Sequence, residues 1–244
     1  MHRFYVNPEN RTEDLFSLEQ EDLKHAVSVL RLKPGDPVEI ISDGKRFSAV
    51  VREVSPGTVS AQMLEELPST EPRIRLALFQ GLPKSDKMEL IIQKAVELGV
   101  SEIIPVKFAR CVVRYSDADA EKKTLRWQKI AREAGKQSGR CVIPAVRQLV
   151  SVSAVPGLCR PYDAAVVPWE ESTSFGPKGF CESRPVPVSL AVIIGPEGGI
   201  EPAEVDLLRS SGIVPLTLGR RILRTETAGI AAVSAFLSLY GEME

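Results

Sequence analysis

The sequence predicts an α/β protein with a mostly parallel sheet in its carboxy-terminal part, preceded by a small β-rich domain. Short strand-like runs separated by turn residues fill residues 1–67, a pattern typical of a small barrel. From Arg73 onward apolar runs alternate with helix-like segments, which favours a parallel sheet covered by helices. Residues 67–72 contain two prolines among polar residues and are the predicted linker. The expected domains are therefore residues 1–70 and 73–244.

The amino-terminal part is predicted to hold one short helix among strands. Residues 21–30 carry apolar side chains at helical spacing. Asp43 and Gly44 separate two alternating runs, which is a strong hairpin signal. A turn is expected at residues 55–57. The predicted strands of this part are residues 4–6, 38–41, 47–54 and 58–64.

The carboxy-terminal part is predicted to alternate strands and helices. Ser85 suits the cap of a helix that Gly99 ends, and Thr225 suits the cap of the last helix. Residues 170–187 are rich in Pro, Gly and Ser and predict a loop. The predicted strands are residues 74–79, 102–106, 163–167, 190–194 and 213–218, and the predicted helices are residues 85–98, about 120–137 and 225–240.

Composition excludes several classes of protein. The four cysteines form no CxxC pair and the two histidines no HxxxH pair, so no metal site is expected and reduced thiols are the better interpretation. The first 16 residues contain no apolar core of a secretory signal, and no run approaches the length of a membrane span. These features predict a cytoplasmic protein without a membrane anchor.

Positive charge is concentrated in one third of the chain, although the net charge is −1. Residues 71–150 carry 16 Lys and Arg against 9 Asp and Glu, whereas the segments on either side are acidic. Such asymmetry indicates either a surface for a polyanion or a solvated basic helix face, and charge alone favours neither. The basic side chains of interest are Arg110, Arg114, Arg126, Lys129, Arg132, Lys136 and Arg140.

Two strand-to-loop corners, about two dozen residues apart, carry the strongest functional signal. In an open α/β sheet, ligands bind where such loops leave the carboxyl ends of strands. The first corner is glycine-rich, so its backbone can approach a ligand closely, and its carboxylate could accept a hydrogen bond from an amine or a ribose hydroxyl. A plain turn with a helix cap is the alternative. Its residues are Gly195, Pro196, Glu197, Gly198 and Gly199.

The second corner combines apolar and basic residues just before the last helix. Leu218, Ile222 and Leu223 could enclose a flat heterocycle, and Arg224 could face a substrate anion. Gly219 marks the end of the preceding strand. Neither corner contains GxxxxGK[ST] or GxGxxG, so a P-loop or a conventional dinucleotide site is not supported.

These motifs resemble those of one known family. GPEGG followed by LG-x-RILR-x-ETA is similar to the signature of the SPOUT (trefoil-knot) methyltransferases, and in particular of the 16S ribosomal RNA uracil-N3 methyltransferase family. PKSDKME and QKAVELGV also resemble family segments, and Arg31, Gly35-Asp36 and Asp43-Gly44 resemble its amino-terminal PUA-like barrel. Residues 137–140 resemble the family's EQ-x-x-R stretch, although Lys136 stands where Glu is usual.

The resemblance implies a SPOUT-type sheet with a carboxy-terminal trefoil knot after a PUA-like, RNA-binding barrel. It implies a homodimer that binds S-adenosylmethionine and methylates N3 of a uridine in 16S ribosomal RNA of the small subunit, uridine 1498 in the usual ribosomal RNA numbering. The seven basic residues named above would hold the RNA backbone, and no metal would be needed. The residues expected to bind the cofactor are Gly195, Pro196, Glu197, Gly198, Gly199, Leu218, Gly219, Ile222, Leu223 and Thr225.

Methylation at N3 requires that the N3 proton leaves while charge develops on the uracil oxygens. Arg224 is the predicted catalytic cation, because a donor placed at developing charge lowers the barrier. Glu197 is a weaker candidate, as a base or as a cofactor ligand. Three alternatives stay open: ribose 2′-O methylation on the same fold, a non-catalytic RNA-binding protein, and, more remotely, a nucleotide hydrolase.

Overall fold

The computed structural model describes residues 1–55, 57–173 and 175–244. It divides into two compact units. The amino-terminal unit consists of Met1–Glu71 with Gly135–Val142, and the carboxy-terminal unit of Pro72–Ala134 with Ile143–Glu244. The domain limits 1–70 and 73–244 stay a prediction, and the pattern of the sequence did not indicate that Gly135–Val142 joins the first unit.

The amino-terminal unit is built on a sheet with the strand order β1-β4-β5-β6-β3-β2. The pair β1 and β4 is parallel, and the other neighbouring pairs are antiparallel. This sheet matches the β-rich PUA-like domain that the sequence predicted. Its strands are β1 (His2–Tyr5), β2 (Arg11–Thr12), β3 (Leu15–Ser17), β4 (Pro37–Ser42), β5 (Lys45–Ser55) and β6 (Thr58–Leu67).

The Asp43-Gly44 signal is confirmed as a two-residue hairpin, because Ser42 pairs with Lys45. Both turn residues have positive φ, 51° and 69°, as the favoured hairpin turn requires. The core under this sheet includes Phe16 and Phe47, whose ring centroids lie 5.3 Å apart.

The predicted helix at residues 21–30 is only partly regular. An α-helix, α1 (Gln20–Lys24), continues as a π-helix over His25–Val29. The predicted turn at residues 55–57 includes Pro56, and the predicted loop at 170–187 includes Ser174; both residues lie outside the described part of the chain.

The carboxy-terminal unit contains a sheet in the order β10-β8-β7-β12-β11-β13, and β9 also pairs with β8. Every pairing given for this sheet is parallel, as the alternation of strands and helices predicted. Its strands are β7 (Arg75–Gly81), β8 (Glu102–Lys107), β9 (Ala145–Val146), β10 (Val150–Ser151), β11 (Ala164–Pro168), β12 (Ser189–Ile194) and β13 (Val214–Leu216).

The two central strands explain why this part of the sequence reads as continuous apolar runs. All six residues of β12 are buried, and in β7 only Arg75 is exposed. Strands that are covered on both faces need apolar side chains at every position. Helices supply the cover: α2 (Lys87–Leu98), α3 (Asp117–Ser138), α4 (Val155–Cys159), α5 (Pro177–Glu182), α6 (Pro202–Ser210) and α7 (Thr225–Leu239).

Three local predictions need correction. Ser85 does not cap α2: the N-cap is Asp86, and Ser85 has a left-handed φ of 56°. Thr225 is the first residue of α7, and the N-cap is Arg224. The Thr225 hydroxyl donates to the carbonyl of Gly195 instead of capping the helix. The loop predicted at 170–187 contains the helix α5, whose Phe180 is fully buried. The C-cap role of Gly99 is confirmed, with a φ of 115°.

A buried ion pair holds the segment Gly135–Val142 within the amino-terminal unit. Arg140 is 4% exposed, and its Nε lies 3.0 and 2.9 Å from the two carboxylate oxygens of Glu71. Glu71 also accepts the backbone N–H groups of Cys141 and Val142.

Glu71→Ala is expected to lower the free energy of unfolding by about 3 kcal/mol, because it removes the carboxylate that pairs with a buried guanidinium. Urea titration measures the change. Glu66→Ala is the control: it removes an exposed pair with Lys45 and should cost less than about 1 kcal/mol. Equal losses in the two variants would contradict a structural role for the Arg140 pair.

Candidate active site

A cavity of about 550 Å³ lies in the carboxy-terminal unit, at the carboxyl ends of β11, β12 and β13. Its volume falls in the range of sites that enclose most of a small organic ligand. Both predicted corners reach it, together with the loop after β11 and the start of α2. The lining consists of Lys84, Lys87, residues 168–170, residues 194–197, Gly199, Ile200, residues 217–225 and Ala228.

The glycine-rich corner is packed backbone against backbone on the end of β7. A Cβ at Gly81 would lie 2.6 Å from the nitrogen of Pro196 and 2.7 Å from the carbonyl carbon of Gly195. No side chain fits at that distance, so position 81 must be glycine for the end of β7 to pack on the glycine-rich corner.

A buried chain of hydrogen bonds ties the same corner to α7. The Thr225 hydroxyl donates to the carbonyl of Gly195 at 2.6 Å and accepts from Nε2 of Gln80 at 2.8 Å. Gln80 is fully buried at the end of β7. Thr225 therefore fixes the two predicted corners relative to each other, and Gln80 is a site-supporting residue that the sequence reading missed.

Glu197 is held by groups from the start of α2. Its Oε1 lies 2.6 Å from Nζ of Lys87, and its Oε2 accepts the backbone N–H of Lys84 at 3.0 Å. Partial burial raises the pKa of Glu197, but the hydrogen bonds from Lys87 and Lys84 and the positive charge of Lys87 outweigh it and hold the pKa below its ordinary value. A carboxylate with a lowered pKa is a poor general base, so this environment disfavours the predicted role as base.

The loop after β11 forms a wall of the cavity that the sequence reading did not assign. Trp169 and Glu170 both line the cavity. The indole N–H of Trp169 is buried and has no hydrogen-bond partner. Gly199, with a φ of 76°, comes so close to Glu170 that a Cβ would lie 2.5 Å from the carboxylate. A third strand end followed by Trp-Glu was the available signal, but it matches no general motif.

The residues expected to bind a cofactor are brought together, with two departures. Gly198 does not line the cavity; a Cβ there would lie 2.9 Å from the carbonyl oxygen of Arg110. Ile222 lines the cavity but is 88% exposed, so the described part of the chain leaves its side chain largely uncovered. The other eight predicted residues lie on the lining.

The basic residues expected to hold RNA do not form one free surface. Arg140 is buried against Glu71, so its predicted phosphate contact is wrong. Three others make ion pairs: Arg110 with Glu201 at 3.6 Å, Arg126 with Glu89 at 2.7 Å and Lys136 with Asp22 at 3.7 Å. Arg114, Lys129 and Arg132 are exposed.

Cations also surround the cavity itself. Four exposed basic residues line it, and none of their side chains makes a close ion pair within the described part of the chain: Lys84, Arg220, Arg221 and Arg224. Positive charge that is not neutralised within the protein is available to an anionic ligand.

Within residues 1–55, 57–173 and 175–244, no cluster of His, Cys, Asp and Glu has a composition suited to a metal ion. None of the helices in those ranges is both long and apolar enough to cross a membrane. The four cysteines are free thiols, and Cys111, Cys141 and Cys159 are buried.

Comparison with known proteins places the chain in a family. A model of the RNA methyltransferase domain matches residues 70–237, and a model of the RNA methyltransferase PUA domain matches residues 18–64. Ribosomal RNA small subunit methyltransferase E of Bacillus subtilis is 40% identical over 231 residues, which cover 90% of this chain and 88% of the relative. The chain belongs to the ribosomal RNA small subunit methyltransferase E family. This result confirms the family predicted from the two corner motifs.

Two solved structures of methyltransferases share the fold. The enzyme of Neisseria gonorrhoeae, bound to S-adenosylmethionine, has a TM-score of 0.81 and 30% identity, covering 98% of both chains. A candidate methyltransferase of Legionella pneumophila, also with S-adenosylmethionine, has a TM-score of 0.80 and 31% identity over 97% of this chain and 96% of the other.

Glu197→Gln tests the ion pair at the glycine-rich corner. Because the folded-state pKa of Glu197 lies below the ordinary value of 4.5, its ion pair stabilises the fold above about pH 4.5, and this stabilisation is lost as pH falls through the folded-state pKa. The variant should lose about 1 kcal/mol of unfolding free energy at neutral pH and less in acid. Urea titrations across pH measure the difference.

A Lys87→Met background is the control for that series. The cost of Glu197→Gln should shrink there, because the partner is already absent. An unchanged cost in both backgrounds, or one that grows toward acid pH, would contradict the assignment.

Proposed function

We propose that this protein transfers a methyl group from S-adenosylmethionine to N3 of a specific uridine in 16S ribosomal RNA, uridine 1498 in the usual numbering. The observation that carries the proposal is the cavity at the carboxyl ends of three parallel strands, lined by both family motifs. Relatives that are 30 and 31% identical over nearly the whole chain have S-adenosylmethionine bound.

The cavity fits the cofactor's chemistry. Apolar side chains of Leu218, Leu223 and Ile200 suit a flat heterocycle, and the loop backbone at the glycine-rich corner suits hydrogen bonds to its edges. The buried indole N–H of Trp169 lacks a partner among the described residues, and an unpaired buried donor is costly unless a ligand satisfies it. The carboxylate of Glu170 suits a ribose hydroxyl or an amine.

S-adenosylmethionine, when bound, supplies an electrophilic methyl group on a sulfonium ion. The protein must then bring an unpaired uridine to that group, since N3 is hidden in a base pair. Holding the reactants in contact supplies a large part of the rate acceleration. Arg224 lines the cavity at the start of α7, where its charge would stabilise the negative charge that spreads over the uracil oxygens.

The proton of N3 must leave, and Glu197 is badly suited to take it because of its lowered pKa. We therefore assign Glu197 to fixing the loop, and solvent to accepting the proton. The RNA backbone would contact the exposed cations of the cavity rim. It would also contact Arg114, Lys129 and Arg132, which are further from the cavity residues in the sequence.

The remaining features of the family are also part of the proposal. β13 pairs with β11 on the side away from β12, an arrangement in keeping with a trefoil knot. The 88% exposure of Ile222 beside the cavity suits cover by a second copy, as in a homodimer. A cytoplasmic location fits a protein that acts on ribosomes.

Nucleoside mass spectrometry is the direct test of the function. Small ribosomal subunits that lack the modification, incubated with the protein and S-adenosylmethionine, should yield N3-methyluridine. A 2′-O-methylated nucleoside would favour the ribose alternative instead. Binding of subunits without any methylated product would favour a non-catalytic RNA-binding protein.

Arg224→Ala should reduce the rate of methyl transfer at saturating substrate by about 100-fold, because a donor to the developing oxyanion is removed. Calorimetry should show that the affinity for S-adenosylmethionine is largely kept. Arg209→Ala is the control, since Arg209 is exposed on α6 and pairs only locally with Asp206. Normal turnover of Arg224→Ala would remove that residue from the mechanism.

A further inference from the structure

Lys87 lies at the meeting point of three chain segments. It is the first residue of α2 and lines the cavity. Its Nζ is 2.6 Å from Oε1 of Glu197 in the glycine-rich corner and 3.4 Å from Oε1 of Glu226 in the first turn of α7. Neither composition nor spacing pointed to this lysine.

The surrounding backbone fixes the position of the ammonium group. Ser85 adopts a left-handed φ of 56°, and the N–H of Lys84 binds the second oxygen of Glu197. Gly81, just upstream, is packed directly on the glycine-rich corner. Lys87 is therefore held in the cavity wall before any substrate arrives, so its charge needs no reorganisation during the reaction.

The ammonium group retains a donor for a ligand. It has three N–H donors, and the two carboxylates take one each. The side chain is 32% exposed, so the third donor is accessible from the cavity. The hydrogen bond to Glu197, supported by that to Glu226, raises the pKa of Lys87, which keeps the group charged where the N3 proton of a uracil is lost.

We propose that Lys87 is a catalytic residue that donates a hydrogen bond to a carbonyl oxygen of the target uracil. The inference rests on the proposed N3 methylation. The N3–H bond breaks and its proton passes to solvent, while negative charge spreads onto the two carbonyl oxygens. Lys87 keeps its own proton and stabilises one of these oxygens until the new N3–C bond forms and the methyl–sulfur bond breaks, which removes the charge.

The charge of the neighbourhood permits this role. Lys87 with Glu197 and Glu226 carries a net charge of −1, which alone would oppose an anionic base. On the same lining, four further cations outnumber the one further carboxylate, Glu170, and make the balance positive: Lys84, Arg220, Arg221 and Arg224. Arg224 is exposed and without an acidic partner among the described residues, whereas Lys87 is fixed by its carboxylate partners. The side chain of Arg224 must therefore become ordered when substrate binds, and that of Lys87 already is.

The test compares Lys87→Met with Lys94→Met. Lys94 lies on the same helix and also pairs with a carboxylate, Glu97 at 2.9 Å, but it does not line the cavity. For Lys87→Met we expect a fall in kcat of about 100-fold or more, with KM for the ribosomal subunit and the Kd for S-adenosylmethionine changed by less than about threefold. Lys94→Met should match the unmodified protein.

The pH dependence of kcat separates catalysis from folding. Without Lys87 the uracil anion is less stabilised, so the rise of kcat with pH should move to higher pH in Lys87→Met, an effect that a structural role does not produce. Lys87→Gln keeps a donor without the charge and serves if Lys87→Met does not fold; it should show a smaller loss and the same direction of shift.

Three outcomes would overturn the inference: an unchanged kcat, a loss of cofactor affinity that accounts for the loss of rate, or an unshifted pH profile. They are distinct from failure of the proposed function. If the unmodified protein makes no N3-methyluridine, the function itself fails. If it does and the Lys87 variants behave like Lys94→Met, only the role of Lys87 is rejected.

Discussion

The direct contact between Gly81 and the Gly195–Pro196 backbone is the constraint on which the site depends. A Cβ at position 81 would lie 2.6 Å from Pro196, so the end of β7 and the glycine-rich corner approach each other as closely as backbones can. Because of this contact, the Lys84 amide and the Lys87 ammonium reach Glu197, and Gln80 reaches Thr225. These polar links between the start of α2, the glycine-rich corner and α7 are consistent with that close approach.

The basic residues of the chain fall into two groups: those paired with carboxylates, and those around the cavity that make no close ion pair. Along α3 and in the segment after it, Arg126, Lys136 and Arg140 meet carboxylates, and the buried Arg140 pair clearly supports the fold. Around the cavity, Arg220, Arg221 and Arg224 have no acidic partner in the described ranges. The count of charges along the sequence identified mainly the paired residues. The unpaired residues around the cavity are better suited to bind a polyanion.

The sequence predicted the parallel sheet, the hairpin at Asp43-Gly44 and both cavity corners, because each depends on local patterning or on a motif that must stay close in sequence. It could not predict contacts made by residues far apart. Arg140 reads as one more cation of a basic helix face until Glu71, 69 residues away, is placed beside it. Trp169 and Glu170 follow β11, and the neighbours of β11 in the sheet cannot be predicted from the order of the strands in the sequence. Thr225 has the residue type of a helix cap, but Gly195 competes successfully for its hydroxyl.

The environment of Glu197 narrows the chemistry available to the site. The ammonium group of Lys87 and the backbone N–H of Lys84 keep this carboxylate ionised, so Glu197 is a poor proton acceptor. Under the proposed function, with Glu197 unsuited as a base, the protein would accelerate N3 methylation by making the uracil easier to ionise. On that proposal, the reaction needs cations that face the carbonyl oxygens rather than a base that faces N3. In the proposed reaction, the lysines and arginines that line the cavity would stabilise the anion that the substrate must become, although the cofactor is itself positively charged.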